Sequence, residues 1–202
     1  MDAARERSLL YRGASPLLLG HRTSQDGSTY FAYSANYESG TVIFRGKSYS
    51  GVELNLNALT DELYVKNPFL GLPVLLNKSF VDSFDLGTHS FVRYEQDKHS
   101  ILNEGYYEVL FSDRLVLIKK IRKQFREDPI GGSRIIGSYS LTESFYLQKN
   151  ATWYLLRKKS DLKKLFPDQK KLIQSVAKTK NLDFSNRKAE FILAIITLIN
   201  SI

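Results

Sequence analysis

Gly105-Tyr106-Tyr107-Glu108-Val109-Leu110-Phe111-Ser112-Asp113-Arg114-Leu115-Val116-Leu117-Ile118-Lys119-Lys120-Ile121 is the stretch that decides the fold. Tyr106 to Phe111 and Leu115 to Ile121 are rich in aromatic and β-branched residues, which pack well on a pleated surface. Ser112-Asp113 between them is a turn signal, so the two runs predict a β-hairpin. A segment of the same form follows downstream: Phe145-Tyr146-Leu147, a turn at Lys149-Asn150, then Trp153-Tyr154-Leu155-Leu156. Both hairpins end in basic runs, Lys119-Lys120-Ile121-Arg122-Lys123 and Arg157-Lys158-Lys159. Two copies are too few to make a repeat architecture.

Upstream, Thr41-Val42-Ile43-Phe44 is separated by Arg45-Gly46-Lys47 from Val52, Leu54 and Leu56, which alternate with Glu53, Asn55 and Asn57. Period-two alternation about a glycine-containing break predicts another hairpin with one buried face. Thr60-Asp61 turns the chain into a strand carrying Leu63 and Val65, and Pro68, Gly71 and Pro73 interrupt further pairing. Val74 to Leu76, Phe80 to Leu86 and Phe91 to Tyr94 read as three more strands, and Pro129, Gly131 and Gly132 mark a mobile loop. Beyond Lys159 the apolar period lengthens to about 3.6, the helical value. One helix starts at Ser160-Asp161. Pro167 opens a second, with Leu172, Ile173, Val176 and Ala177 opposite Lys170, Lys171, Gln174 and Lys178, and Asn181 ends it. A third, from about Ser185 to Asn200, is so apolar after Phe191 that it must lie buried. These elements predict an α+β fold: a curved or closed antiparallel β-sheet followed by a C-terminal helical segment. The expected organisation is a partly irregular lead-in over 1–29, an antiparallel β domain over 30–157, and helices over 158–202 packed on the sheet.

A chain of 202 residues, 43% hydrophobic and 25% charged, is long enough to bury a core without covalent staples. It contains no cysteine, which excludes disulfides, thiolate metal sites and thiol nucleophiles. Met1 to Arg7 has no apolar run behind its charges and is not expected to act as a secretory signal. The longest apolar run, Phe191 to Ile199, falls short of the ~20 residues that cross a bilayer.

His21, His89 and His99 are scattered without partners at ligand spacing, so neither a metal site nor a nucleophilic triad is expected. Asp61-Glu62 and Glu127-Asp128 lie beside turn signals and suit turns and caps. Asn77-Lys78-Ser79 and Asn150-Ala151-Thr152 match the glycosylation acceptor pattern but serve equally as turns. There is no phosphate-binding loop, dinucleotide fingerprint or serine elbow, and no cofactor is implied.

Charge is the remaining signal. Residues 1–100 carry ten Lys+Arg against eleven Asp+Glu, and residues 101–202 carry nineteen against ten, so the net +8 resides in the second half. Such a field attracts anions. Lys119, Lys120, Arg122, Lys123, Arg157, Lys158 and Lys159, with Trp153 among them, form the candidate anion- or partner-binding set, on the expectation that they share one face. The leading functional reading is a non-enzymatic interaction module that docks a protein or anionic partner through this basic half. Basic grooves with aromatic platforms also hold single-stranded nucleic acid, which makes a nucleic-acid-binding domain the first alternative. A hydrolase whose site is assembled only in the fold is the second.

The run Gly105 to Leu110, the Leu-rich strand ending in Lys-Lys, the tail Ser160-Asp161-Leu162-Lys163-Lys164-Leu165-Phe166-Pro167-Asp168 and Asn181-Leu182-Asp183-Phe184 together resemble an uncharacterised family of exported proteins from Bacteroidota. The resemblance covers roughly residues 41–202 and transfers no catalytic residue. It implies a cell-envelope or periplasmic setting and a signal peptide outside this numbering; the residues themselves leave a cytoplasmic setting open.

Overall fold

The computed structural model describes residues 9–14, 23–26, 28–31, 36–127, 136–179, 182 and 184–202. The chain condenses into two compact units, one of residues 1–93 with 121–142, the other of residues 94–120 with 143–202. The strands are β1 (Thr23–Asp26), β2 (Glu38–Phe44), β3 (Lys47–Asn57), β4 (Glu62–Lys66), β5 (Pro73–Leu75), β6 (Val81–Leu86), β7 (His89–Tyr94), β8 (Gly105–Ser112), β9 (Val116–Glu127), β10 (Ile136–Lys149) and β11 (Thr152–Leu156). Three helices follow: α1 (Lys159–Leu165), α2 (Lys170–Thr179) and α3 (Lys188–Asn200). The chain is thus α+β, mostly antiparallel strands with helices at the C-terminal end.

In the first unit β7, β6, β2, β3, β4 and β5 form, in that order, an antiparallel ladder. The expected hairpin turns at Arg45-Gly46, with φ of 53° and 70°. Two positive-φ residues make the turn whose twist matches the flanking strands. A side chain there costs about 1–2 kcal/mol, a cost Arg45 bears and a glycine would not. Gly40 is needed for another reason: a Cβ on it would lie 2.1 Å from the Asp85 carbonyl of β6. Val42, Val52, Leu54, Leu63, Val65 and Phe84 are buried, and Phe84 stacks on Phe91 with ring centroids 4.8 Å apart.

Two features of this unit depart from the sequence reading. Asn55 and Asn57 are buried rather than outward-facing. Asn57 Oδ1 accepts from the amides of Leu59 and Thr60, and Asn55 Nδ2 donates to the Asn36 carbonyl, so polar groups fill inward positions by satisfying backbone. Within the expected irregular lead-in, β1 pairs in parallel with the first residues of β10, Thr23 opposite Ile136. Its Thr-Ser-Gln-Asp sequence carries no apolar alternation to announce it. The loop expected at Pro129, Gly131 and Gly132 lies outside the described residues.

In the second unit β8 and β9 form the hairpin of the opening stretch, with Glu108 opposite Lys119 and Val109 opposite Ile118. β10 and β11 form the second hairpin, turning through Asn150 and Ala151, both at positive φ. One face of these strands, with Leu117, Phe145, Leu147 and Leu156, meets Leu162, Phe166, Ile173, Val176, Phe191, Ile192, Ile195 and Ile196 from the C-terminal segment. This accounts for the apolar run of α3: each such side chain contributes about 1.5–3 kcal/mol when withdrawn from water. The other face gathers Leu102, Tyr107, Ile118 and Tyr146, with Trp153 and Leu155 partly buried against them. Among the described residues, no helix is long and apolar enough to cross a membrane.

Candidate functional site

The basic run Lys119 to Lys123 does not end a strand. β9 continues through it to Glu127, so the ladder turns some of its side chains inward. Lys119, with 12% of its side chain exposed, places Nζ 2.8 Å from Glu108 Oε2 and 3.3 Å from Glu143 Oε1. Lys120 is buried, donates to the Tyr106 carbonyl at 2.9 Å and lies 5.0 Å from the Tyr107 ring centroid. Lys123 is buried in the first unit, where it donates to the carbonyls of Ser28, at 2.8 Å, and Tyr30. Burial pushes its pKa down to about 8. Only Arg122 of this run is exposed. The expectation of seven cations on one shared face is therefore corrected: Lys119, Lys120 and Lys123 are internal connectors that hold carboxylates and carbonyls.

The second basic run behaves differently. After Leu156 the chain leaves β11, and Asp161 Oδ2 accepts from the amides of Arg157 and Lys158, each at 2.9 Å, which fixes the entry into α1. Arg157, Lys158 and, one helical turn beyond Asp161, Lys164 are exposed and line a cavity of about 630 Å³ whose wall includes Ile101, Tyr146 and Leu155. Against these three cations stands the single carboxylate of Asp161, already holding two amides. Arg157, Lys158 and Lys164 form no ion pair among the described residues. Lys188 also feels Asp161 and Glu143, but burial dominates and lowers its pKa; its Nζ sits over the rings of Phe145 and Phe184.

Lys159 faces away from this duty, its Nζ 5.3 Å from the Phe191 ring centroid. Trp153 packs edge-on to Tyr94, centroids 5.5 Å apart at 84°, and Tyr94 packs edge-on to Tyr107. Tyr106 and Tyr107 are buried. Tyr106 and Tyr107 thus build the interior of the unit and Trp153 packs against it, whereas Tyr154 is exposed. Of the eight candidate residues the cavity brings together Arg157 and Lys158; it adds Lys164, Tyr146 and Ile101, which the sequence reading did not select. The signal for Lys164 was its spacing of three from Asp161, which puts both on one helical face.

The arrangement suits binding of an anionic group beside an apolar surface. Among the described residues, no three His, Asp or Glu side chains cluster in a way that would hold a metal ion. Family models, curated proteins and solved structures were compared with this chain, and none matches.

Proposed function

We propose that this chain is a non-enzymatic interaction module that docks an anionic group of a partner in the cavity of Arg157, Lys158 and Lys164. The observation that carries the reading is the grouping around one half-apolar cavity of three exposed cations that form no ion pair among the described residues. Their fields add there, and the guanidinium of Arg157 offers a planar fork suited to carboxylate or phosphate. Lys163, Lys170, Lys171 and Lys178 on α1 and α2 extend the basic character of the segment. The proposed setting is the cell envelope, on the resemblance of residues 41–202, with a protein or an anionic envelope component as partner. A strongly curved sheet belongs to the same proposal, supported by bulges at Gly40/Thr41 and Val109/Phe111 that add local twist.

Nucleic acid is a weaker fit, because Trp153, Tyr106 and Tyr107 are engaged in packing and only Tyr154 of the four aromatics beside the basic runs is exposed for stacking. The test is fluorescence anisotropy with a labelled acidic peptide and, in parallel, a labelled oligothymidylate, each titrated at low and at physiological salt. Salt-dependent binding of the peptide, lost when Arg157, Lys158 and Lys164 are all changed to Glu, is the expected result. Binding of the peptide that survives the triple substitution overturns the site, and tight binding of the oligonucleotide alone overturns the choice of partner.

A further inference from the structure

We propose a second ligand site, in the first unit, for a small organic carboxylate with an apolar or aromatic body. A cavity of about 670 Å³ there is lined by Leu10, Phe44, Leu76 and Phe80 together with Arg12, Arg45, Lys78 and Glu62. Its size is in the range that encloses most of a small organic ligand.

The charged groups of this cavity divide into occupied and available ones. Lys78 Nζ lies 2.9 Å from Asp61 Oδ2. Glu62 Oε2 accepts from the Tyr64 hydroxyl at 2.6 Å and from Thr60 Oγ1 at 2.7 Å, and it shares in raising the Tyr64 pKa, which burial raises most. Arg12 and Arg45, by contrast, form no ion pair among the described residues. Asp82, at the Arg45 turn, accepts from the Gly46 amide at 3.3 Å through Oδ2. The lining therefore holds three cations against one carboxylate, and neither guanidinium is ion-paired among the described residues.

Arg45 is held as a preorganised receptor. Its backbone sits at φ 53°, a conformation that turns of this kind normally give to Asn, Asp or Gly. Its amide donates to the Phe80 carbonyl at 2.7 Å, and its guanidinium lies 4.0 Å from the Phe80 ring centroid, with Phe44 edge-on to Phe80. A guanidinium over a ring face can keep N–H groups open at its edge, and that edge matches a carboxylate through two parallel hydrogen bonds. The Phe44 and Phe80 rings and the leucines would then cover the ligand's apolar body. A side chain that strains its own turn and presents a free fork beside an apolar cavity is placed for recognition rather than for the turn.

This site is independent of the docking cavity and is tested separately. Isothermal titration of the full chain with benzoate and octanoate, and with benzamide and octanamide as uncharged counterparts, reads the chemistry directly. The expected result is one saturable site for a carboxylate, with the matching amide bound at least about tenfold more weakly, as the loss of a charge-assisted pair implies. Arg45→Gly and Arg45→Asn should relax the turn, keep or raise the melting temperature, and weaken carboxylate binding by a similar factor. The proposal is overturned by absence of saturable binding in the millimolar range, by equal affinity for acid and amide, or by undiminished affinity in both variants. Unfolding of both variants would also overturn it, since Arg45 would then serve the turn itself.

Discussion

Lys119 to Lys123 and Arg157 to Lys164 are nearly equal in charge and opposite in use. In the first, the cations lie mid-strand, and three of them reach inward to Glu108, Glu143 and the carbonyls of Tyr106, Ser28 and Tyr30. In the second, the chain has just left a strand, and Arg157, Lys158 and Lys164 stand at a cavity without ion pairs among the described residues. The lesson is that a Lys-rich run reports on binding only where it is solvated. Where it is buried, the same residues contribute to stability, because a desolvated ammonium must be matched by an acceptor.

Substitutions at the two runs should separate them. The largest effect is expected at Lys119: Lys119→Met removes the ammonium 2.8 Å from Glu108 Oε2, a carboxylate of a residue 4% exposed, and should cost about 3–5 kcal/mol in urea unfolding. Adding Glu108→Leu should recover much of that loss, since a hydrophobic pair of similar volume tolerates burial better than one stranded charge. A Lys119→Met protein as stable as the parent would remove the contrast between the runs. Lys120→Met comes next, at about 1–3 kcal/mol, because the buried Tyr106 carbonyl loses its donor.

Changes at the exposed run should be quieter in stability and visible in binding. Arg157→Glu, Lys158→Glu and Lys164→Glu together should alter unfolding free energy by no more than about 0.5 kcal/mol per site while abolishing association with an acidic peptide. A large drop in stability would show that these cations, too, are internal connectors.

The sign of the pH dependence follows from burial. Lys123, lowered from 10.5 to about 8, and Lys188, also lowered, bind fewer protons folded than unfolded above pH 8. Stability should therefore rise with pH from about 8 toward 10. Tyr37, raised to about 12 by burial, and Tyr64 and Tyr94, also raised chiefly by burial, hold their protons in the folded state, so stability should fall again above pH 10. Thermal unfolding across this range should show a maximum, and Lys123→Met should flatten the rising limb. A rising limb unchanged in Lys123→Met would remove Lys123 from the account.

The hairpins were legible because their information is local: alternating side chains and turn residues such as Arg45-Gly46, Ser112-Asp113 and Asn150 act over a few positions. So was the burial of α3, since Ile192, Ile195, Ile196 and Ile199 leave no polar face to solvate. β1 was not legible, because its four polar residues form a strand only through backbone pairing with residues more than a hundred positions away. The continuation of β9 was hidden for a related reason. Arg122, Gln124 and Arg126 are exposed while Lys123 is buried, an alternation that hydrophobicity cannot register when a lysine occupies an inward position. At the candidate site, Arg157 and Lys158 were visible as charge, whereas Ile101 and Tyr146 joined them only through packing.

The sequence by itself determined the strand-then-helix order, the absence of thiol chemistry and the excess positive charge of the second half. Each is a property of composition or of neighbours along the chain. Which cations are neutralised, which line a cavity and where a strand outlasts its apolar residues was decided only by tertiary structure. The free energy of a charge depends on its solvation and on the groups folded against it, and those partners, such as Glu143 for Lys119 or the Ser28 carbonyl for Lys123, come from distant parts of the chain.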